Sequence, residues 1–178
     1  FEYLVVGLPG QGEIWHDDAP LSDFVSELLD LQNSGSVYSP NIGTGAGLGN
    51  LVYRLHYNSE DRAWPSIHAF GHENRKSVWK AVNLLFFSRN TGLRENWDWQ
   101  FDNSDCFASP MLDAGKLMKF DRVFSIVPFG QRLSHFDFDE DRFGRFPYGK
   151  PPTQHSEWAY IQHCLSSTSD EGRCVVIT

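Results

Sequence analysis

Three features of this chain have the residue types and spacing to handle a nucleotide-like ligand. The first is Gly43-Thr44-Gly45-Ala46-Gly47, which follows the short apolar stretch Ser36-Val37-Tyr38 and precedes an apolar-periodic run through Leu51, Val52 and Leu55. A strand, a glycine loop and a helix let the backbone turn tightly against a ligand and aim helix N-terminal amides at a negative group. The loop is not a phosphate loop, because it runs into Gly47-Leu48-Gly49 instead of Gly-Lys-Ser/Thr. The second feature is Glu73, just after the next strand, where a carboxylate could accept both hydroxyls of a ribose. It could equally be a solvated first-turn carboxylate that favours its helix dipole. The third is Asp105, placed either to hold an adenine amino group or to cap a turn. A ligand such as NAD or S-adenosylmethionine would need such a set.

The elements that must position these residues alternate along the chain. Leu21 to Leu31 carries Leu21, Phe24, Val25, Leu28 and Leu29 at helical spacing and predicts a first amphipathic helix. Ser36 to Tyr38, Ile67 to Gly71, Trp97 to Phe101, Val123 to Val127 and Arg173 to Ile177 read as five strands, with helices after the glycine loop, over Val78 to Phe87 and over Trp158 to Leu165. Strands joined by helices imply a parallel sheet covered on both faces. Ligands then bind beyond the carboxyl ends of the strands, where the three features fall.

Composition narrows the alternatives. The 178 residues fit one domain, with residues 1–35 as an entry segment and first helix, and 14 Phe, 6 Trp and 6 Tyr argue for a folded globule. No apolar run approaches the roughly 20 residues that span a bilayer, and the first residues lack secretory order, so cytoplasm is the expected compartment and no membrane partner is expected. Three cysteines without CxxC spacing suggest buried free thiols. A net charge of −8 counts against the chain holding DNA alone. The densest basic stretch, Arg142, Arg145 and Lys150 with Phe143, Phe146 and Tyr148, reads as a surface loop, with contact to a nucleic acid as the alternative. The acidic run Asp137, Asp139, Glu140, Asp141 lacks the glycine and glutamate of a calcium loop and reads as a solvated, flexible loop. The histidines lack metal-ligand spacing, and no Gly-x-Ser-x-Gly marks a hydrolase.

Order and spacing together are more specific. Ser39-Pro40-Asn41-Ile42-Gly43-Thr44-Gly45-Ala46, Phe70-Gly71-His72-Glu73-Asn74 with Ala81-Val82-Asn83-Leu84-Leu85, and Pro151-Pro152 with Trp158-Ala159-Tyr160-Ile161-Gln162-His163 and Gly172-Arg173 stand in sequence. Gly12-Glu13 through Ala19-Pro20-Leu21 precedes them, and Ile126-Val127-Pro128-Phe129 ends the fourth strand. This series resembles the methylation subunit of type I restriction-modification systems, of the adenine-specific N-6 DNA methylase family. The resemblance implies a Rossmann-like S-adenosylmethionine-dependent methyltransferase fold, truncated after the fifth strand, with one sheet edge left open for a further segment or another subunit. It also implies Ser39, Gly43, Thr44, Gly45, Glu73 and Asp105 as cofactor contacts. DNA, reached through a specificity subunit, and other restriction-modification subunits are the implied partners.

By the same resemblance, Ile126, Val127, Pro128 and Phe129 occupy the catalytic loop, which is Asn-Pro-Pro-Phe in active relatives. There the Asn side chain and the first Pro carbonyl accept hydrogen bonds from the target amino group, and Phe stacks on the flipped base. Ile126 has no side-chain acceptor, so the Val127 carbonyl is the acceptor left, and Ser39 stands where the family has Asp. Two expectations follow. One is an adenine methyltransferase with weak or no activity, and the other is a catalytically inactive module that binds a partner or a nucleotide.

Overall fold

The computed structural model describes residues 2–6, 19–30, 34–58, 66–90, 98–128 and 130–178. In chain order they form β1 (Glu2–Val6), α1 (Ala19–Leu29), β2 (Ser34–Ser39), α2 (Ala46–Asn58), β3 (Ser66–His72), α3 (Lys76–Asn90), β4 (Asp98–Asp102), β5 (Leu112–Asp113), β6 (Lys116–Leu117), β7 (Phe120–Ile126), a one-turn 3-10 helix (Phe138–Glu140), α4 (Glu157–Ser167) and β8 (Thr168–Ile177). Six strands make one all-parallel sheet in the order β1-β8-β7-β2-β3-β4.

Adjacent residues of each central strand enter opposite cores because strand side chains alternate. Val37, Phe124 and Val175 join Val25 and Leu29 of α1, Leu48, Leu51 and Val52 of α2, and Val82 and Phe86 of α3. Their neighbours Tyr38, Val123 and Val176 face the other way, against Ala159, Tyr160 and Cys164 of α4 and the loop residues Phe107, Leu133 and Phe138. Both faces are therefore covered, as the near-continuous apolar runs of β7 and β8 require.

The sequence located every α-helix among the described residues and five of the strands, but it missed β1, the small β5–β6 hairpin and the 3-10 turn. β1 also corrects the expected open edge. Glu2 to Val6 pairs in parallel with Arg173 to Ile177, so the chain itself occupies the edge beside β8. Trp97 and the entry stretch from Gly12 to Asp18 lie outside the described residues.

The loop readings are corrected at Arg145 and Asp141, whose side chains are buried. Arg145 is 2% exposed, and its Nε donates to Asp141 Oδ1 at 2.7 Å while its backbone N–H donates to Oδ2. Its Nη1 and Nη2 donate to the carbonyls of Cys106 and Phe107 at 3.1 and 2.9 Å, and Phe136, Phe143 and Phe146 surround the guanidinium. An arginine fork with its donors matched and its charge paired can be buried. Asp137 caps the 3-10 turn and Lys150 pairs with Asp139, while Arg142, Tyr148, Lys150, Asp137, Asp139 and Glu140 are exposed, as expected of surface loops.

Between β2, β3 and α4 lies a buried polar chain. His72 Nε2 donates to the Ser109 carbonyl, which can only accept, so His72 Nδ1 accepts from the Tyr38 hydroxyl at 3.1 Å. Tyr38 oxygen then accepts from His163 Nε2 at 2.8 Å. Burial pushes both imidazoles below their ordinary pKa, most strongly His163, which Arg145 and His72 also disfavour when charged. Burial likewise pushes the Cys106 and Cys164 thiols up and away from reactivity.

Two outcomes follow. Asp141→Ala strands a buried guanidinium charge and should lower unfolding stability by about 3–5 kcal/mol in a urea titration. The histidines give the second. Above pH about 6.5 they are neutral in both states and cost nothing; below it the unfolded chain takes up protons that the folded one refuses. The melting temperature should therefore fall as pH drops from 6.5 to 5, and His163→Gln should flatten that slope.

Candidate active site

Strand order reverses between β2 and β7. From β2 the sheet grows through β3 to β4 on one side and through β7 to β8 on the other. The crevice at the carboxyl ends of such a pair is the binding position of an open parallel sheet. Ser39 and Ile126 are the last residues of β2 and β7, Glu73 follows β3, and Asp105 follows β4 by three positions.

The glycine loop is built by close approach. Ile42 N–H donates to the His72 carbonyl at 2.9 Å and Gly45 N–H to the Ile42 carbonyl at 3.0 Å, which curls the loop over the end of β3. Gly45 has φ +77°, and an added Cβ would lie 2.3 Å from Val82 Cγ2, so this glycine brings the loop onto α3. Gly43 has φ +57° but open space around its missing Cβ, which leaves its backbone approachable. Thr44 is partly exposed beside it. The first turn of α2 carries no acidic side chain, so its free N–H groups have no local carboxylate.

The carboxylates are less free than their positions suggest. Glu73 is 6% exposed, and Oε1 accepts from the Arg75 backbone N–H and Nε at 2.8 and 3.0 Å, with Oε2 accepting from Arg75 Nη2 at 3.2 Å. Asp105 Oδ1 accepts from the N–H groups of Phe107 and Ala108, which is turn chemistry, while Oδ2 lies 3.7 Å from His135 Nε2. Buried Ser39 presents an Oγ without a hydrogen-bond partner among the described residues.

The floor of the crevice is closed by a side chain that sequence reasoning passed over. Asn41 Nδ2 donates to the Ile126 carbonyl, and Ser125 Oγ donates to Asn41 Oδ1 at 2.6 Å. Ile126 packs against the first core, while Val127 is 7% exposed in the second core and gives its N–H to the Ile177 carbonyl. Pro128 is exposed, and Phe129 lies outside the described residues. Asp121 sits at the opposite end of β7, where its Oδ2 accepts from the Ser36 N–H and hydroxyl at 2.8 Å and ties β7 to β2. The glycine loop fits a close-lying cofactor, and the Ser39 hydroxyl is a polar group that a ligand could satisfy. Glu73, the carboxylate expected to meet a ribose, has three acceptor positions taken by Arg75.

Comparison with known proteins agrees with this architecture. The family model described as N-6 DNA Methylase matches residues 11–178. Among solved structures, the type I restriction-modification system methyltransferase subunit from Streptococcus thermophilus aligns with TM-score 0.69 and 20% identity, over 94% of this chain and 35% of that one. A modification subunit of a putative type I restriction enzyme from Vibrio vulnificus gives TM-score 0.64 and 21% identity, over 95% and 35%. A SAM-dependent O-methyltransferase from Thermotoga maritima gives TM-score 0.55 and 19% identity, over 88% and 43%. The chain thus spans about a third of the length of the two subunits it resembles. No curated protein matches it.

The loop geometry separates two substitutions. Gly43→Ala meets only backbone strain and should cost about 1 kcal/mol. Gly45→Ala adds a clash with Val82 and should cost more than about 2 kcal/mol by thermal or urea unfolding.

Proposed function

The chain belongs to the N-6 DNA methylase family, and from that premise we propose that it is a DNA adenine N(6)-methyltransferase-like domain whose crevice binds S-adenosylmethionine and whose transfer step is weak or absent. The observation that carries this reading is the end of β7, where the methylase loop would act. Ile126 offers no side-chain acceptor and its carbonyl is engaged by Asn41. The Val127 side chain is anchored in the core, leaving its backbone carbonyl as the surviving acceptor toward an incoming amino group.

In this reading Gly43, Thr44 and Gly45 border the methionine part of the cofactor, Ser39 its ammonium end, Glu73 its ribose and Asp105 its adenine. S-adenosylmethionine, when bound, supplies an electrophilic methyl group. The chain holds the cofactor and orients the target amino group through Val127 and Phe129. An acceptor that polarises the amino nitrogen acts in the transition state, and loss of one such group costs roughly a hundredfold in rate or more. Ser39 supplies no negative charge for the ammonium group, which weakens cofactor binding as well. With a net charge of −8, the chain needs DNA-binding charge from elsewhere. We assign that role to a specificity subunit or to other restriction-modification subunits, in line with the neighbours being subunits of such systems. Among the described residues no helix is long and apolar enough to cross a membrane.

A second reading, a catalytically inactive module that binds a partner or a nucleotide, is favoured by the engaged Ile126 carbonyl and the Arg75 guanidinium on Glu73. The two readings separate by calorimetry and by transfer of labelled methyl groups to adenine-containing duplex DNA. Micromolar S-adenosylmethionine binding, lost in Glu73→Ala, is expected. Transfer should rise about a hundredfold or more in the triple variant Ser39→Asp, Ile126→Asn, Val127→Pro. Robust transfer by the unmodified protein would sink the weak-activity claim, and no binding at millimolar ligand would leave the partner-binding module.

A further inference from the structure

The carboxylate at the end of β3 already has an occupant. A carboxylate offers about four acceptor positions on its two oxygens. Three of them on Glu73 are filled by Arg75: Oε1 by the backbone N–H and by Nε, and Oε2 by Nη2. The two partners are not equally held. Glu73 is 6% exposed, its N–H donates to the Asp102 carbonyl, and its own carbonyl accepts from Asn103 Nδ2 at 2.7 Å. The Arg75 side chain is 54% exposed and reaches Glu73 from the residue before α3. The carboxylate is therefore fixed and the guanidinium is the group that can leave.

We propose that Arg75 sets the affinity of the crevice by competing for Glu73, so that a ligand carrying a ribose diol binds by displacing the guanidinium. This rests on the reading of Glu73 as the ribose contact. Once Nε and Nη2 leave, the backbone N–H of Arg75 still holds Oε1, while the second position on Oε1 and both on Oε2 are open. That is enough for the two hydroxyls of a diol. The departing guanidinium moves into water, where its charge is well solvated, so the exchange costs the charge-assisted pair and little else. The sequence carried the signal in Glu73-Asn74-Arg75, since two residues of separation outside a helix let an arginine fold back on the preceding carboxylate.

The test is calorimetric titration of S-adenosylhomocysteine, which has the same ribose and no sulfonium charge, into the protein and into the Arg75→Ala and Glu73→Ala variants. A thermal melt of each establishes that it is folded. Arg75→Ala should bind about tenfold tighter than the unmodified protein, and Glu73→Ala should bind weaker than either. Added salt screens the pair, so the unmodified protein should move towards the Arg75→Ala affinity as ionic strength rises. Affinity unchanged in Arg75→Ala, with Glu73→Ala still weak, would overturn competition while leaving Glu73 as the ribose contact. Weaker binding by Arg75→Ala would overturn it too, and would make the guanidinium a ligand contact. If Glu73→Ala binds as the unmodified protein does, or if no form binds, the ribose assignment itself fails and the competition fails with it.

Discussion

The central junction of β2 with β7 is the constraint on which the rest of the structure depends. Its backbone register covers Val37 with Arg122 and Tyr38 with Val123, and side chains complete it at both ends. Asp121 grips the Ser36 N–H and hydroxyl at one end, and Asn41 joins Ser125 and Ile126 at the other. This junction is where strand order reverses, so its carboxyl end is both the weakest stretch of backbone pairing and the place where a ligand enters. Asn41 resolves that conflict by carrying the pairing beyond the last ladder residues through a carboxamide, which donates and accepts as a peptide group does.

Much of the fold was legible in the sequence because the central strands are buried on both faces. Their apolar runs state the burial directly, and the helices between them repeat at a spacing of three and four. What was not legible depends on partners far along the chain. β1 becomes a strand by pairing with the edge of β8, although its Tyr3-Leu4-Val5-Val6 run is itself a short apolar strand signal. Arg145 has the composition of a surface residue, and only the meeting of Asp141 with the carbonyls of Cys106 and Phe107 makes its burial possible. The order of the site residues could be read, and the structure gathers Ser39, the glycine loop, Glu73, Asp105 and Ile126 at one end of the sheet. Their engagement could not be read, since the guanidinium on Glu73, the turn amides on Asp105 and the carboxamide on Ile126 are features of geometry.

These engagements change the electrostatic character of the crevice. Glu73 is paired with Arg75 and Asp105 accepts from turn amides, while Asp102 at the end of β4 adds a carboxylate of its own. Recognition at Glu73 then depends on whether the guanidinium is in place, and so on ionic strength as well as on shape.

Arg145 also has a consequence for the order in which the molecule assembles. Its bonds to the carbonyls of Cys106 and Phe107 span 39 and 38 residues, and each closes a loop whose entropy must be spent before the guanidinium is matched. The layer of Phe107, Leu133, Phe138 and α4 over the second sheet face is thus one cooperative unit that locks when the arginine arrives. Strand β7 joins β2 across 85 residues, a longer closure than either arginine bond. The wall beyond the crevice thus closes over shorter loops than the central junction, and the docking of β7 on β2 is the step that carries the larger entropy cost.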